Sequence, residues 1–291
     1  MKRSITCLML CFLLAAGSFA HPGSGVVVDK TGQVYFTDTG KGVWKIDTYG
    51  KLVFMPSSRF HWLAIDEQGH FAESEKNFGG YFERVTERGV NPALIICSDF
   101  NFIIHPDGNI YYADTRSRSS SIIRRTPGGK ETVLVSDKIL EFVSGMTIGP
   151  DGSIYITESS NPNTNTIRKI TMQGKIFVIA RFTGKLPILP TGDPASYCRG
   201  LFVDNNGMIY VAATGSRSVL RITPQGKITT IIQESVPWTP TGVVLFHDKI
   251  FILEWHDVVP GLEEVRTAWI PRVQQITLDG KSTTLAIISR D

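Results

Sequence analysis

The chain has 291 residues, of which 42% are hydrophobic and 20% are charged, a composition that is ordinary for a globular protein and untypical of a disordered one. The formal net charge is only +3 and the basic residues are scattered, which argues against nucleic acid as a partner. Serine and cysteine nucleophile chemistry is not supported, since no Gly-x-Ser-x-Gly elbow or Cys-x-x-Cys pair is present.

The first twenty residues have the parts of a secretory signal peptide. Lys2 and Arg3 precede an apolar run, residues 7–16, and small residues that a signal peptidase reads follow at 17–20. We expect residues 1–20 to be removed and the mature chain, residues 21–291, to be secreted or periplasmic. No later segment approaches ~20 apolar residues, so we expect no integral membrane segment after cleavage. A retained membrane anchor is the alternative.

Cleavage would remove Cys7 and Cys11 and leave Cys97 and Cys198. Two cysteines in an exported protein can form a disulfide. Both precede an inner strand of the repeats described next, but in the second and fifth copies, which lie well apart around a ring. One disulfide and two free thiols therefore both stay open.

One pattern recurs six times: an apolar run, an Asp/Asn turn with Gly, a second apolar run that usually ends in an acid, and a Gly-Lys turn. The clear copies are residues 25–38, 145–158 and 200–213, and the looser copies are residues 62–75, 102–114 and 242–254. Such repetition is the signature of a repeat architecture.

The repeat length predicts a β-propeller. The turn positions Gly32, 69, 108, 152 and 207 and Asp248 are 37, 39, 44, 55 and 41 residues apart, and a four-stranded blade takes roughly 40–50 residues. In the first copy, residues 26–28, 33–37, 42–46 and 51–54 read as an antiparallel meander. We predict an all-β, six-bladed β-propeller of four-stranded antiparallel blades over residues 21–291. The last copy has its own fourth strand, residues 282–288, so the ring is expected to close without strand exchange.

These repeats resemble the NHL type, and residues 21–291 resemble the six-bladed superfamily of the senescence-marker protein and gluconolactonase. The stretch Gly-Asp-Pro-Ala-Ser-Tyr-Cys-Arg-Gly-Leu-Phe-Val-Asp, residues 192–204, is similar to the start of an NHL blade. The resemblance implies the fold; members of such families are lactonases, lyases or binding proteins.

In each predicted blade, the start of the first strand and the end of the second lie at one end of the ring. The second strands end in an acid in five copies, where we expect the carboxylates to accept N–H bonds in the loop to strand three. The first-strand starts vary, which is typical of a ligand site. The starts are Ser24, His61, Asn101, Ser144, Arg199 and Thr241, and the ends are Asp38, Glu75, Asp114, Glu158, Ala213 and Glu254.

The residues at the first-strand starts are the groups that we predict to bind a small polar or anionic ligand. Arg199 would pair with a negative group, Asn101 and Ser144 would form hydrogen bonds, and Trp62 or Trp255 would pack against an apolar part. The resemblance implies, for the lactonases, metal ligands Glu, Asn, Asn and Asp at the positions of Ser24, Asn101, Ser144 and Arg199. Only Asn101 retains the ligand type, so we expect that metal site to be lost.

The sixth copy offers another candidate. Glu254 and His256 precede a long loop that carries Asp257, Glu263, Glu264, Arg266 and Trp269. A Glu-x-His pair can hold one divalent metal ion or act as acid and base. The pair has a loose resemblance to the streptogramin-lyase propellers, in which His and Glu hold a metal and serve as base. A solvated loop pair is the other interpretation.

Two functions are consistent with these predicted site residues. In the first, the channel mouth binds a small molecule and catalyses hydrolysis or elimination, with His256 or His61 as general base and Glu254 as metal ligand or orienting group. In the second, the propeller is a scaffold, and its loops bind a protein or a glycan. Close approach of His61, Glu254 and His256 would favour the enzyme, whereas an exposed tryptophan patch would favour the scaffold.

Overall fold

The computed structural model describes residues 23–39, 41–59, 61–116, 120–136, 140–161, 164–183, 198–256, 269–277 and 280–289. These residues form six sheets, each of four antiparallel strands, and the first strands of the six sheets contact one another in cyclic order. The six-bladed β-propeller is therefore confirmed. Within these ranges, no helix is long and apolar enough to cross a membrane. The predicted signal peptide lies outside the described residues.

Each blade is built from strands that are consecutive in the chain. Blades one and two comprise β1 (Val26–Val28), β2 (Val34–Asp38), β3 (Gly42–Ile46) and β4 (Leu52–Pro56), then β5 (Trp62–Asp66), β6 (Asn77–Phe78), β7 (Phe82–Arg84) and β8 (Ala93–Cys97). Blades three and four comprise β9 (Phe102–Ile104), β10 (Ile110–Asp114), β11 (Ser121–Arg125) and β12 (Glu131–Ser136), then β13 (Phe142–Ile148), β14 (Ile154–Asn161), β15 (Thr164–Ile170) and β16 (Ile176–Thr183). Blades five and six comprise β17 (Cys198–Val203), β18 (Ile209–Ala213), β19 (Ser218–Ile222) and β20 (Ile228–Gln233), then β21 (Trp238–Phe246), β22 (Lys249–His256), β23 (Pro271–Thr277) and β24 (Ser282–Ile287).

The Asp-x-x-Gly turn joins the first two strands by local hydrogen bonds. In blade one, Oδ1 of Asp29 accepts the N–H groups of Thr31 and Gln33, at 2.9 Å each. Gly32 has φ +89°, a conformation that side chains rarely adopt, which explains the glycine of the repeat. The four strands of this blade match the sequence prediction within two residues.

Blade two departs from the predicted strand order. The prediction that its second strand ends at Glu75 is wrong. The sheet order is β5-β8-β7-β6, so β8 takes the second position and ends at Cys97. The cause lies after β5, where Oδ2 of Asp66 accepts the N–H of Phe71, whose ring is fully buried. The chain is thereby held in turns where the other blades form a strand.

The core is divided among the seams between neighbouring blades. The described residues form six apolar clusters, one for each seam, because both faces of every sheet are covered. Cys97 and Cys198 are buried in two different clusters and are both free thiols, which decides the open question about a disulfide.

Glycines in the first strands allow neighbouring blades to approach each other closely. A Cβ atom on Gly145 would lie 2.0 Å from the carbonyl oxygen of Arg199, and one on Gly242 would lie 2.6 Å from the carbonyl oxygen of Ser24.

The ring closes by packing blade six on blade one without strand exchange, as predicted. The carbonyl of Gly23 accepts hydrogen bonds from Thr241 Oγ1 and Trp255 Nε1, both at 2.8 Å.

Candidate functional site

A cavity of about 330 Å³ runs along the central channel, and the first strands of all six blades line it. Thr147 lines it farther along, and the polar residues at the strand starts, on one end of the channel, are Ser24, Trp62, Asn101 and Arg199. We call this set the polar end. Blades two and five are opposite in a six-membered ring, so Trp62 and Arg199 lie on opposite sides of the channel.

Two polar atoms at the polar end have unused hydrogen-bonding capacity. Asn101 is 6% exposed, and its Nδ2 donates to the carbonyl of Val143 at 3.0 Å, which fixes Oδ1 as the acceptor atom of the amide. Ser24 is 7% exposed. Asn101 Oδ1 and Ser24 Oγ are both buried and, within the described part of the chain, have no hydrogen-bond partner. Because buried polar groups are nearly always paired, these two atoms are the candidate contacts for a ligand or an ordered water.

Arg199 supplies the charge of the site. Its side chain is 5% exposed, and it is the only charged residue among the described residues that line the cavity. A guanidinium group carries five N–H donors and stays positively charged at any physiological pH. The low dielectric constant of a narrow channel strengthens its attraction for an anion.

Ser144 lies on the same ring but has a different role from the one predicted. Its Oγ donates to the carbonyl of Cys198 at 2.6 Å and lies 3.1 Å from Thr157 Oγ1, so the hydroxyl joins blades four and five. Ser144 does not line the cavity. Thr241 joins blades six and one in the same way.

His61 begins blade two beside the polar end, where its carbonyl accepts the N–H groups of Ser24 and Gly25, at 2.8 and 3.1 Å. Nδ1 of His61 lies 2.6 Å from the carbonyl oxygen of Ser98. A carbonyl only accepts, so the proton of the neutral ring is on Nδ1 and the basic nitrogen is Nε2. Nε2 is buried, and His61 is not among the described residues that line the cavity.

Glu254 is fully buried at the end of β22, in the seam between blades five and six. Its Oε2 accepts hydrogen bonds from Arg272 Nε at 2.7 Å and Gln274 Nε2 at 2.9 Å. Burial raises the pKa of this carboxyl group, against the opposing effect of Arg272. The geometry places Glu254 in the seam and not on the cavity wall.

His256 and Trp255 follow Glu254. The His256 ring meets Trp238 edge-on, with ring centroids 5.3 Å apart, and Trp255 is 1% exposed with its indole N–H on Gly23. Trp255 therefore closes the ring, whereas Trp62 is among the residues that line the cavity. Among the described residues, no three His, Cys, Asp or Glu side chains are close enough to hold a metal ion. Asp257, Glu263, Glu264 and Arg266 lie outside the described residues.

Comparison with known proteins identifies the family. The model of the SMP-30/Gluconolactonase/LRE-like region matches residues 100–253, which are 154 of the 291 residues and include Asn101, Arg199 and the first strands of blades three to six. The chain belongs to this family.

Other proteins are similar to this gluconolactonase-like chain in sequence or in fold. Mouse Teneurin-3 is 26% identical over 171 residues, 54% of this chain, but these make up only 6% of Teneurin-3. Virginiamycin B lyase from Staphylococcus aureus is 19% identical, with a TM-score of 0.54 over 92% of this chain and 85% of the lyase. A luciferin-regenerating enzyme is 16% identical, with a TM-score of 0.56 over 92% of this chain and 93% of that enzyme. At these identities the two structures share the fold.

The lactonase metal positions of this gluconolactonase-like propeller do not fit a divalent cation. The hydroxyl of Ser144 is directed to the protein, Ser24 supplies one hydroxyl, and Arg199 brings a positive charge. Divalent hard cations need several oxygen ligands and usually carboxylates. Asn101 Oδ1 is the remaining candidate ligand, and one amide oxygen is not enough.

The repeated acids mainly stabilise the blades. Asp114 accepts the N–H of Arg116 at 3.1 Å, as predicted from the loop. In the other blades the partner of the acid is a side chain of the third strand, which the repeat pattern did not predict. Side chains on one face of neighbouring strands lie next to each other, so the alternation of residues along the strands could have indicated these pairs. These bonds are Trp44 Nε1 to Asp38, Arg168 Nε to Glu158 and Arg272 Nε to Glu254, at 3.0, 2.5 and 2.7 Å.

Proposed function

We propose that this gluconolactonase-like propeller binds a small anionic ligand that carries a hydroxyl group, at the polar end of the central channel. One observation carries the proposal. The buried atoms Asn101 Oδ1 and Ser24 Oγ have no hydrogen-bond partner among the described residues, and both residues line the cavity to which Arg199 also contributes. The ligand's anion would lie on the guanidinium group, and its hydroxyl would donate to Asn101 Oδ1.

The energetics favour such a ligand. Leaving a buried acceptor unpaired costs about 1–3 kcal/mol, which a ligand hydroxyl would recover. Hydrogen bonds between a guanidinium group and an anion are roughly twice as strong as neutral ones. Trp62, opposite Arg199, supplies a flat apolar surface for the rest of the molecule.

The reaction class that we propose is hydrolysis or elimination, with His61 as general base. Its support is the family and the position of His61 beside the polar end, with Nε2 as the basic nitrogen. Both reactions need a group that removes a proton from water or from carbon, and a neutral imidazole does this near neutral pH. Ser24 and Asn101 would hold the ligand while Arg199 stabilises its negative charge.

Binding of gluconate, a carboxylate with several hydroxyl groups, tests the site. Calorimetry with the chain 21–291 should give binding in the wild type and a loss of about tenfold or more in affinity for Arg199→Gln. The control is Arg221→Gln, since Arg221 is exposed on β19 and should leave affinity unchanged. Equal binding of gluconate by both variants would refute the proposal, and acetate should bind more weakly than gluconate.

We also propose that the protein acts outside the cytoplasm after loss of residues 1–20. The support is the charged start, the apolar run and the small residues of the N-terminal sequence. Mass spectrometry of protein expressed from the full chain should show an N-terminus at His21 in the periplasm or medium. An intact N-terminus in the cytoplasm would contradict this proposal.

A further inference from the structure

One position of the first strand, near the polar end, holds glycine in four of the six blades. In blades one to five it lies four residues before the residue whose carbonyl accepts the N–H of the turn glycine. In blade six it is the glycine that approaches Ser24 of blade one. We call it the ring position. Its residues, in blade order, are Gly25, Trp62, Asn101, Gly145, Gly200 and Gly242.

Glycine at the ring position brings the first strands of neighbouring blades into direct contact. A Cβ atom on Gly200 would lie 2.6 Å from Cα of Gly242, and one on Gly25 would lie 2.5 Å from Cβ of Leu63. Gly145 and Gly242 approach the next blade as closely. A side chain at any of these positions would collide with the neighbouring strand. Glycine therefore closes the ring from blade four through blades five, six and one to blade two.

Side chains take the place of this glycine on both sides of blade three. Trp62 is half-buried, and it packs against the apolar cluster that contains Phe82 of blade two and Phe102 of blade three. Asn101 reaches blade four, where its Nδ2 donates to the carbonyl of Val143 at 3.0 Å. Because a side chain needs the space that glycine leaves empty, the first strands must lie farther apart in these two seams.

We propose that Trp62 is the specificity-determining residue of the polar end: it holds the ring open beside blade three and packs against the ligand. This inference rests on the proposed function. Ser24, Trp62 and Asn101 belong to the consecutive blades one, two and three, and all three line the cavity. The two buried polar atoms of the site, Ser24 Oγ and Asn101 Oδ1, thus flank Trp62 in ring order.

This arrangement selects a ligand with a hydroxylated carbon chain or ring. The face of an indole ring packs against C–H groups, while hydroxyl groups of the same molecule can form hydrogen bonds with the polar atoms on either side. A simple carboxylate such as acetate offers neither contact, so its affinity should not depend on Trp62.

Variants of Trp62 test the inference by NMR titration of the chain 21–291 with gluconate and with acetate. Trp62→Gly gives blade two the residue of the other blades, and it should weaken gluconate about tenfold or more while acetate is unchanged. Trp62→Phe keeps an aromatic ring and should keep gluconate within about threefold of wild type. Trp44→Phe is the control, since the indole of Trp44 donates to Asp38 away from the cavity, and it should change neither affinity.

A second measurement does not depend on the folding of the glycine variant. Gluconate that packs against Trp62 should change the tryptophan fluorescence of wild type and of Trp44→Phe. The change should be lost in Trp62→Phe, which still binds gluconate.

The outcomes distinguish this inference from the proposed function. Equal gluconate affinity in wild type and Trp62→Gly, or a fluorescence change that persists in Trp62→Phe, would overturn the role of Trp62. Dependence of gluconate binding on Arg199 would then leave the proposed function intact. Equal weakening of gluconate and acetate by Trp62→Gly would show a general effect on the fold and would also overturn the specificity. If wild type binds no gluconate, both proposals fail.

Discussion

Oε2 of Glu254 lies 2.7 Å from Nε of Arg272, whereas Oε1 of the same buried carboxyl group has no hydrogen-bond partner among the described residues. Glu158 is the equivalent residue of blade four, and its Oε1 accepts the backbone N–H of Glu141. Trp238 occupies the position of Glu141 in blade six, but its N–H donates to the carbonyl of Ser235. Blade six thus keeps the ion pair of the repeat and lacks its second hydrogen bond.

This incomplete pairing predicts a pH dependence of stability. Burial, with a further contribution from the neighbouring Glu234, raises the pKa of Glu254 above 4.5, so the folded chain binds the proton more tightly than the unfolded chain. The stabilisation from this carboxyl group is therefore present below about pH 4.5 and is lost as pH rises through its folded pKa. The variant Glu254→Gln lacks this titration, and its melting temperature should rise relative to wild type as the pH increases above about 4.5.

The control for this prediction is Glu73→Gln, because Glu73 is 74% exposed in a surface ion pair with Arg88. Its melting temperature should follow wild type at every pH. A difference between wild type and Glu254→Gln that stays constant over the same pH range would contradict a raised pKa at Glu254.

Gly145 should tolerate no side chain. Its Cβ would lie 2.0 Å from the carbonyl oxygen of Arg199 and 2.8 Å from Thr157 Oγ1, so Gly145→Ala must separate the first strands of blades four and five. We expect a loss of about 3 kcal/mol in the free energy of unfolding, measured by urea denaturation. Gly128→Ala is the matched control, since the nearest atom to its Cβ would be 3.9 Å away. Equal stability of the two variants would refute the close approach.

The two thiols should be unreactive in the folded protein. Burial raises the pKa of Cys97 to about 11 and also raises the pKa of Cys198, while both side chains are shielded from solvent. Thiolates are the reactive species, so a thiol reagent near pH 8 should label neither residue until the chain is unfolded, when both react. Rapid labelling of one cysteine in the native state would show that its seam opens.

The fold was predictable because each repeat carries its own turn chemistry. Asp29 and Gly32 specify the first turn by hydrogen bonding and a positive φ, and the same device recurs around the ring. Blade two was mispredicted because the bond from Phe71 N–H to Asp66 connects residues five apart and redirects the chain. No periodicity in the apolar pattern reports such a bond.

The positions around the site were predictable from the sequence, but the role of each residue was not. The strand starts predicted that Asn101, Arg199 and Ser144 surround one mouth. Only the three-dimensional contacts show that Ser144 joins two blades and that the Ser24 hydroxyl has no hydrogen-bond partner among the described residues. The same holds for Trp255, whose indole binds Gly23 at a separation of 232 residues. Bonds of that range are decided by ring closure, which local sequence does not encode.

Removal of divalent ions should leave ligand binding unchanged. The cavity presents the Arg199 cation, one amide oxygen from Asn101 and one hydroxyl from Ser24, and no described lining residue is a carboxylate. The anion is therefore expected to bind the guanidinium group directly, without a bridging cation. Calorimetric titration of gluconate before and after treatment with EDTA should give the same affinity. A loss of binding that returns on addition of calcium or zinc would contradict this prediction, and abolition of that recovery in Glu254→Ala or His256→Ala would assign the metal to blade six.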